Sequence, residues 1–217
     1  PMPKPWRNLA QGGEELSEPM LDDVVGEIRQ LKTEYVRLDH LYDGYGIVSR
    51  GGDGRLSYDW SKLDKVVKDI LAAGAKPFLA LSYMPPAISR GDIIDQPTDY
   101  NEWQQVVKAT VEHYSGRAGM NISDVYYEVW NEPDLFGKWK TYSDKNYLNL
   151  YLYAARGASS ASNVNSFKLG GPATTALYKN WLDNFLNFTV QNNLRLDFYS
   201  WHRYTTDLEQ YEDDWNK

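Results

Sequence analysis

The chain contains 217 residues with a formal net charge of -7, and this acidic balance, without a long Lys/Arg block, disfavours nucleic acid as a partner. It has no cysteine, which excludes a disulfide framework and a thiol nucleophile. No apolar run reaches the roughly 18 residues of a membrane span, and no signal peptide is recognisable, so a bacterial cytoplasmic and a secreted location both stay open.

Six short runs of β-branched and aromatic residues predict strands. In chain order they are residues 7–11, 34–38, 77–82, 125–130, 167–170 and 196–201. The runs are almost continuously apolar, as the strands of a parallel sheet covered on both faces must be. We therefore expect a buried sheet whose strands are joined by crossover connections.

Segments of helical periodicity separate the strands. The clearest stripe follows the second strand and consists of Leu63, Val66, Val67, Ile70 and Leu71. Ser61 and Asp64 predict a capping box at its start, and Gly74 predicts its end. The same periodicity predicts further helices near residues 103–114, 143–161 and 177–191.

The alternation of strand and helix predicts a parallel sheet, closed either as a doubly wound sheet or as a (β/α)8 barrel. A doubly wound sheet would show a glycine-rich phosphate turn after its first strand. Gly12-Gly13 is followed there by Glu14 and Glu15, which would repel phosphate. A barrel instead predicts polar residues at the carboxyl ends of several strands. Such residues occur at Arg37, Asp39, His40, Ser82, Asn131, Glu132, His202 and Tyr204.

The predicted fold class is therefore α/β, a (β/α)8 TIM barrel, but the barrel is incomplete. A whole barrel needs about 250 residues and eight strand–helix units, whereas six strands are predicted here. A six-stranded arc would leave two unpaired edges and an unclosed core. We expect residues 1–217 to form a single barrel domain truncated at its C-terminus. Either further residues of a longer polypeptide or a second chain would complete it.

Trp130-Asn131-Glu132-Pro133 follows the fourth predicted strand and contains the best acid/base candidate. A carboxyl group at the end of a buried strand is costly unless it has a task or a partner, and an apolar wall suits Glu132 to general acid/base chemistry. Strand alternation sends Asn131 and Glu132 to opposite faces, so the backbone must bend if both serve one pocket. Pro133 biases Glu132 toward an extended conformation. The alternative is that Glu132 only caps the next helix.

Arg37 and Glu128 are charged residues inside apolar strands, where each needs a partner. We expect them to pair, with Glu128 in a structural role and Arg37 able to hold a catalytic carboxylate ionised. His202 and Tyr204 share one strand face near the end of the sixth strand, from which they would contact substrate or position a carboxylate. His113 is predicted to be a surface residue on a helix.

Other hydrolase motifs are missing from the sequence. Its three histidines show neither H-x-H nor H-E-x-x-H spacing, so we predict no metal site and no cofactor. The nucleophile elbow G-x-S-x-G is also absent. Aromatic residues make up 14% of the chain. Flat rings suit sugar ligands, although filling a large core explains them as well.

Five motifs in chain order carry a resemblance to a known family. The segment from Tyr127 to Pro133 resembles the acid/base motif of clan A retaining glycosidases. More narrowly, the chain is similar to glycoside hydrolase family 39, which includes β-xylosidases and α-L-iduronidases. The other matching segments are Val36-Arg37 and residues 76–85, 170–174 and 197–204. Together they extend over nearly the whole chain.

The resemblance implies a barrel that hydrolyses the O-glycosidic bonds of a carbohydrate, most similar to a β-xyloside, by a retaining double displacement. It implies that Glu132 is the acid/base and that Asn131 contacts the sugar 2-hydroxyl. It implies further that Arg37 and Tyr204 orient the nucleophile, while His202 lines the sugar subsite.

Two departures from the family pattern matter for function. Where the family has His two residues after the arginine, this chain has Asp39, with His40 one step later. The family pattern therefore does not fix the sugar contact of this strand or the identity of the sugar, and we expect Asp39 and His40 to bind the substrate here. The family's nucleophile is a Glu at the end of the seventh strand, and this chain ends before that strand. Glu209 and Glu212 follow the sixth strand, but we expect them to be charges in a polar loop.

Two alternatives stay open. An inverting mechanism would place two carboxyls about 6.5–9.5 Å apart, with Asp39 as the second carboxyl. A non-catalytic carbohydrate-binding protein would keep the cleft without the chemistry. A barrel lyase is disfavoured, because metal-ligand clusters and a strand-end lysine are absent from the sequence.

Overall fold

The computed structural model describes residues 7–11 and 21–216. Its strands are, in chain order, β1 (Asn8–Gln11), β2 (Tyr35–Leu38), β3 (Val48–Arg50), β4 (Leu56–Tyr58), β5 (Lys76–Leu81), β6 (Val125–Val129), β7 (Phe167–Thr174) and β8 (Phe198–Trp201). Six of them pair in parallel in the order β1-β2-β5-β6-β7-β8, which is also their order in the chain. This sheet forms a curled arc, and β3 and β4 form a separate antiparallel hairpin.

Helices connect the strands of the arc. Within the described residues they are α1 (Val25–Leu31), α2 (Leu41–Tyr45), α3 (Ser61–Ala72), α4 (Tyr100–Tyr114), α5 (Tyr147–Ser160), α6 (Lys179–Gln191) and α7 (Glu209–Asn216), with a 3-10 turn at Asp22–Val24. Among the described residues, no helix is both long enough and apolar enough to cross a bilayer.

Side chains alternate between the two faces of the sheet. One set, which includes Leu79 and Tyr127, is buried in a core that also contains the apolar stripes of α3, α4 and α5. The other set lies on the concave face, where Arg37, Phe78 and Tyr126 are register partners across β2, β5 and β6. A cavity of about 330 Å3 lies beside these three residues. The concave face is therefore only partly filled, as expected of an arc that has not closed into a barrel.

The predicted strands are confirmed, with boundaries shifted by a few residues. The strand that contains the acid/base motif ends at Val129, one residue earlier than expected, and β7 continues to Thr174, four residues beyond its predicted end. The hairpin of β3 and β4 and the short helix α2 have no counterpart in the prediction. The Gly12-Gly13 turn with Glu14 and Glu15 lies outside the described residues.

The predicted capping box of α3 is wrong, whereas its predicted end is confirmed. Trp60 occupies the N-cap position and makes no side-chain cap hydrogen bond. Asp59 instead accepts a hydrogen bond from the Ser61 N–H at 2.9 Å, because a carboxylate two residues earlier competes for that donor. Gly74 ends the helix with φ of 82°, a left-handed conformation that glycine adopts at little cost.

His113 is not the exposed residue that its place on a helix suggested. Its ring stacks on Trp60 at 4.6 Å between centroids, and its Nε2 lies 2.7 Å from an Asp64 carboxylate oxygen. These contacts join α4 to the start of α3. The helical period alone does not reveal them, because the partners come from another helix.

Gly157 marks a close approach of α5 to α4. A Cβ at this position would lie 2.4 Å from the carbonyl oxygen of Gln104. We expect Gly157→Ala to destabilise the full-length protein by about 1–3 kcal/mol through overpacking, measured by chemical denaturation. Gly26→Ala in α1 is the matched control, since its added Cβ would have no atom of the described residues within 4 Å apart from its chain neighbours and the backbone of its own helix. This control should be neutral or stabilising by up to about 1 kcal/mol, and equal effects of the two variants would contradict the close packing.

Candidate functional site

A cleft of about 350 Å3 opens at the carboxyl ends of the parallel strands. Its described lining consists of Ala10, Arg37, Asp39, His40, Tyr83, Asn131, Glu132, Phe136, His202 and Tyr204. All seven residues that the sequence singled out for acid/base chemistry or substrate contact are thus brought to one cleft. Ser82 is not among the residues that line it; its side chain is fully buried.

The backbone at Glu132 bends in the way that a shared pocket requires. Trp130 has φ of 77° and Glu132 has φ of 47°, so the chain leaves the extended conformation directly after β6. The expectation that Pro133 keeps Glu132 extended is therefore wrong. Hydrogen bonds override the local bias, since the Glu132 N–H donates to the Ala173 carbonyl at 3.0 Å and its own carbonyl accepts from the Phe136 N–H at 2.7 Å.

The carboxyl group of Glu132 is buried and held by a histidine. Its side chain is 10% exposed, and Oε1 lies 2.6 Å from Nδ1 of His202. The backbone N–H of His202 donates to the carbonyl oxygen of Thr174 at 2.7 Å. The ends of β6, β7 and β8 therefore fix this carboxyl together. Such a contact both orients the carboxyl and gives it a hydrogen-bonding partner inside the cleft.

Arg37 and Glu128 form the ion pair predicted from their places in apolar strands. Nε and Nη2 of Arg37 donate to Oε2 of Glu128 at 2.8 and 2.6 Å, and Glu128 is only 2% exposed. Burial alone would lower the pKa of Arg37, but the attraction and hydrogen bonds of Glu128 raise it above its ordinary value. Arg37 therefore stays charged, and the pair lies on the concave face directly below the cleft.

Asn131 connects this ion pair to the cleft. Its Oδ1 accepts from Nη2 of Arg37 at 2.9 Å, and its Nδ2 donates to the Tyr83 hydroxyl at 2.9 Å. The amide is therefore held at both ends, which leaves one N–H and one lone pair for another partner.

Tyr83 and Phe136 line the cleft although the sequence analysis did not select them. The sequence predicts a strand that ends at Ser82, whereas β5 ends at Leu81, and this shift of one residue brings Tyr83 and not Ser82 to the cleft. Burial raises the pKa of the Tyr83 phenol, which therefore stays protonated. Its ring lies edge-on to Trp130 at 5.2 Å and 5.7 Å from Phe136. Together the rings form an aromatic wall beside Glu132.

Asp39 and His40 have different surroundings. Asp39 is buried and its Oδ2 lies 3.8 Å from Nη1 of Arg37. Burial raises the pKa of Asp39, and the Arg37 charge opposes that rise only in part. His40 has φ of 53°, and its Nδ1 lies 2.7 Å from Oδ2 of Asp43. Burial alone would raise the pKa of Asp43, but hydrogen bonds from His40 and from the backbone N–H of Tyr83 lower it.

Tyr204 lies at the rim of the cleft and is 83% exposed. Its ring is edge-on to that of His202, with 6.1 Å between centroids. Tyr204 and His202 therefore reach the same cleft, as their shared strand parity predicted, although both follow the last residue of β8.

Glu209 and Glu212 belong to a helix, so the prediction that they lie in a polar loop is wrong. Both are in α7, whose start is capped by Asp207 accepting from the Glu209 N–H at 3.0 Å. Buried Asp214 anchors the helix, because its carboxylate binds the guanidinium of Arg203 at 2.6 and 2.7 Å. Neither glutamate is among the described residues that line the cleft.

In the parts of the chain that the structure describes, no cluster of three or more His, Asp or Glu side chains is arranged to hold a metal ion.

Comparison with known proteins gives consistent matches. The sequence profile described as "Glycosyl hydrolases family 39" matches residues 15–213. A "Beta-xylosidase" of Caldicellulosiruptor saccharolyticus is 33% identical over 189 residues, which cover 82% of this chain and 38% of that protein. A "Beta-xylosidase" of Geobacillus stearothermophilus is 32% identical over 178 residues, covering 76% and 35%.

A solved structure described as a GH39 Beta-xylosidase from Caulobacter crescentus superimposes with a TM-score of 0.78 and 27% identity, covering 95% of this chain and 48% of that chain. The predicted α/β fold, an incomplete TIM barrel, is thereby confirmed. The chain spans less than half of the length of each of these three relatives.

Proposed function

Since the chain belongs to the family of glycosyl hydrolases 39, we propose that it is part of the catalytic barrel of a retaining glycoside hydrolase that cleaves β-xylosides. The observation that carries this proposal is the buried carboxyl of Glu132, held by His202 at 2.6 Å in a cleft lined with aromatic rings. The names of the similar β-xylosidases support the choice of substrate.

In the proposed mechanism Glu132 acts twice. Its protonated carboxyl donates a proton to the leaving glycosidic oxygen, and its anion then removes a proton from the water that hydrolyses the glycosyl-enzyme intermediate. The contact with His202 keeps the carboxyl pointed at the cleft through both steps. The aromatic wall of Tyr83 and Phe136 excludes water beside it and offers an apolar surface to the sugar.

Asn131 is proposed to bind the sugar, and Arg37 is proposed to orient the nucleophile. The remaining N–H of the Asn131 amide is suited to a sugar hydroxyl, and we assign it to the 2-hydroxyl. The guanidinium of Arg37, fixed by its pair with Glu128, would orient a nucleophilic carboxylate together with Tyr204 through hydrogen bonds and not through an uncompensated charge. His40 and Asp39 would contact the sugar from the end of β2.

The nucleophile is proposed to lie on a further strand, outside residues 1–217. Retention needs two carboxyls about 5–5.5 Å apart across the glycosidic bond. The coverage of less than half of the related β-xylosidases leaves room for such a strand. The single truncated barrel domain that we propose for residues 1–217 would be completed by it.

The direct test is turnover of an aryl β-xyloside by the full-length protein, with the anomeric configuration of the released sugar followed by NMR. The proposal predicts that the β-anomer appears first. Release of the α-anomer first would indicate inversion, with Asp39 as the second carboxyl. Binding of xylose without turnover would favour a non-catalytic carbohydrate-binding protein.

The isolated 217-residue chain is expected to show no normal hydrolytic activity, because the nucleophile and two strands of the barrel are proposed to be missing from it. The measurement is turnover of aryl β-xyloside by the isolated chain, beside the full-length protein at equal concentration. Robust turnover by the isolated chain would show that all catalytic groups lie within residues 1–217.

A further inference from the structure

The carboxyl group of Asp39 has unused hydrogen-bonding capacity. Its side chain is 10% exposed and belongs to the lining of the cleft. Oδ1 is buried and has no hydrogen-bond partner among the described residues. Oδ2 lies 3.8 Å from the Arg37 guanidinium, which is too far for a direct hydrogen bond. A carboxylate that is buried with so few partners is costly unless a ligand supplies donors.

Arg37 is not available as a full partner for Asp39. Two of its nitrogens donate to Glu128, at 2.8 and 2.6 Å, and one of these also donates to Asn131 at 2.9 Å. Its charge is therefore compensated by Glu128 before any ligand enters the cleft.

The cleft and its wall carry more negative than positive groups. The carboxyl groups are Asp39, Asp43, Glu128 and Glu132, and the cationic or titratable groups are Arg37, His40 and His202. With Glu132 protonated, as the proposed mechanism requires when substrate binds, the three other carboxylates outnumber Arg37 as long as the imidazoles are neutral, and the sum is never positive. Each imidazole already lies within 2.7 Å of a carboxylate oxygen. Among the described lining residues, a ligand carboxylate would therefore meet no cation that is not already paired with a carboxylate of the protein.

We propose that Asp39 makes the cleft selective for neutral sugars: its carboxylate accepts a hydrogen bond from a sugar hydroxyl and repels sugars that carry a carboxylate. This inference rests on the proposed function and deepens it, because it names the class of sugar that the cleft accepts. An ionised Asp39 offers only hydrogen-bond acceptors to a ligand.

The test compares two competitive inhibitors of the full-length protein, xylose and glucuronate. Wild-type protein should bind xylose and should be inhibited weakly or not at all by glucuronate. Asp39→Asn keeps the size of the side chain and removes its charge. It should therefore raise the inhibition constant of xylose about tenfold, because a hydrogen bond to a charged acceptor is lost. The same variant should strengthen inhibition by glucuronate, and Asp39→His should strengthen it further. Glu209→Gln, an equal charge change on exposed α7, should leave both inhibition constants unchanged.

Thermal unfolding separates loss of a ligand contact from loss of structure. Because burial raises the pKa of Asp39 above 3.8, the ionised carboxyl is less favourable in the folded than in the unfolded chain. Asp39→Asn should therefore be at least as stable as wild type at pH 7, and this advantage should shrink as pH falls toward 3.8.

The outcomes distinguish this inference from the proposed function. If the wild-type protein neither hydrolyses β-xylosides nor binds xylose, both the proposed function and this inference are wrong. If the wild-type protein is active but Asp39→Asn leaves the ratio of the two inhibition constants unchanged, only this inference is overturned. A lower melting temperature of Asp39→Asn with an unchanged ratio would likewise overturn it, and would make Asp39 a structural partner of Arg37.

Discussion

Glu132→Gln in the full-length protein is expected to lower kcat/KM for unactivated β-xylosides by about 100- to 10,000-fold, the range that a positioned acid/base contributes. Gln keeps the size of the side chain and can still hydrogen-bond to His202, but it cannot protonate the leaving oxygen. The loss of kcat/KM should be much smaller for a dinitrophenyl β-xyloside, because that leaving group needs no protonation. The measurement is steady-state kinetics on an alkyl and a dinitrophenyl xyloside.

Glu212→Gln is the matched control, since it makes the same chemical change on α7, away from the cleft. It should retain wild-type kinetics on both substrates. Normal cleavage of the alkyl xyloside by Glu132→Gln would remove Glu132 from the acid/base role, however well the variant folds.

Arg37→Met is expected to destabilise the full-length protein by about 3–5 kcal/mol, because it leaves the Glu128 carboxylate buried without its partner. Glu128 is 2% exposed and accepts both donors of the arginine fork on one oxygen. A double-mutant cycle measures the coupling free energy of the pair. It compares the free energies of unfolding of the wild type, Arg37→Met, Glu128→Leu and the double variant by chemical denaturation. The double variant should recover most of the loss, since it leaves no unpaired charge.

An exposed ion pair supplies the control for this cycle. Arg7 and Glu34 are 2.9 Å apart, but both side chains are largely exposed. Removal of Arg7 should therefore cost no more than about 1 kcal/mol. If the effects of Arg37→Met and Glu128→Leu simply add in the double variant, the two side chains are not coupled and the ion pair has been misassigned.

The sequence predicts the parallel sheet well, because buried strands need apolar runs and this requirement is local. It also predicts the Arg37–Glu128 pair, since a charge inside each of two apolar strands demands a partner. The hairpin is harder to find. Each of its strands has three residues, too short for an alternating pattern, and only the glycine-rich turn at residues 51–54 marks it.

The details of the site depend on contacts that local sequence does not encode. The left-handed conformation of Glu132 is held by a hydrogen bond from its N–H to Ala173 on a neighbouring strand, which outweighs the bias of the following proline. The choice between Ser82 and Tyr83 depends on a strand end that is uncertain by one residue. Helix α7 lacks a strong apolar stripe, and Asp214 anchors it through Arg203.

The product that Glu132→Gln forms in the presence of azide tests the central claim most directly. A small anion attacks a glycosyl-enzyme intermediate without base catalysis, so the variant should regain turnover of dinitrophenyl β-xyloside and release β-xylosyl azide, with retained configuration. Formation of α-xylosyl azide would mean that azide replaced the carboxyl removed by the substitution, so that Glu132 is the nucleophile and not the acid/base. No azide product and no rescue, in a folded variant that has lost activity, would contradict Glu132 as the acid/base of a retaining glycosidase.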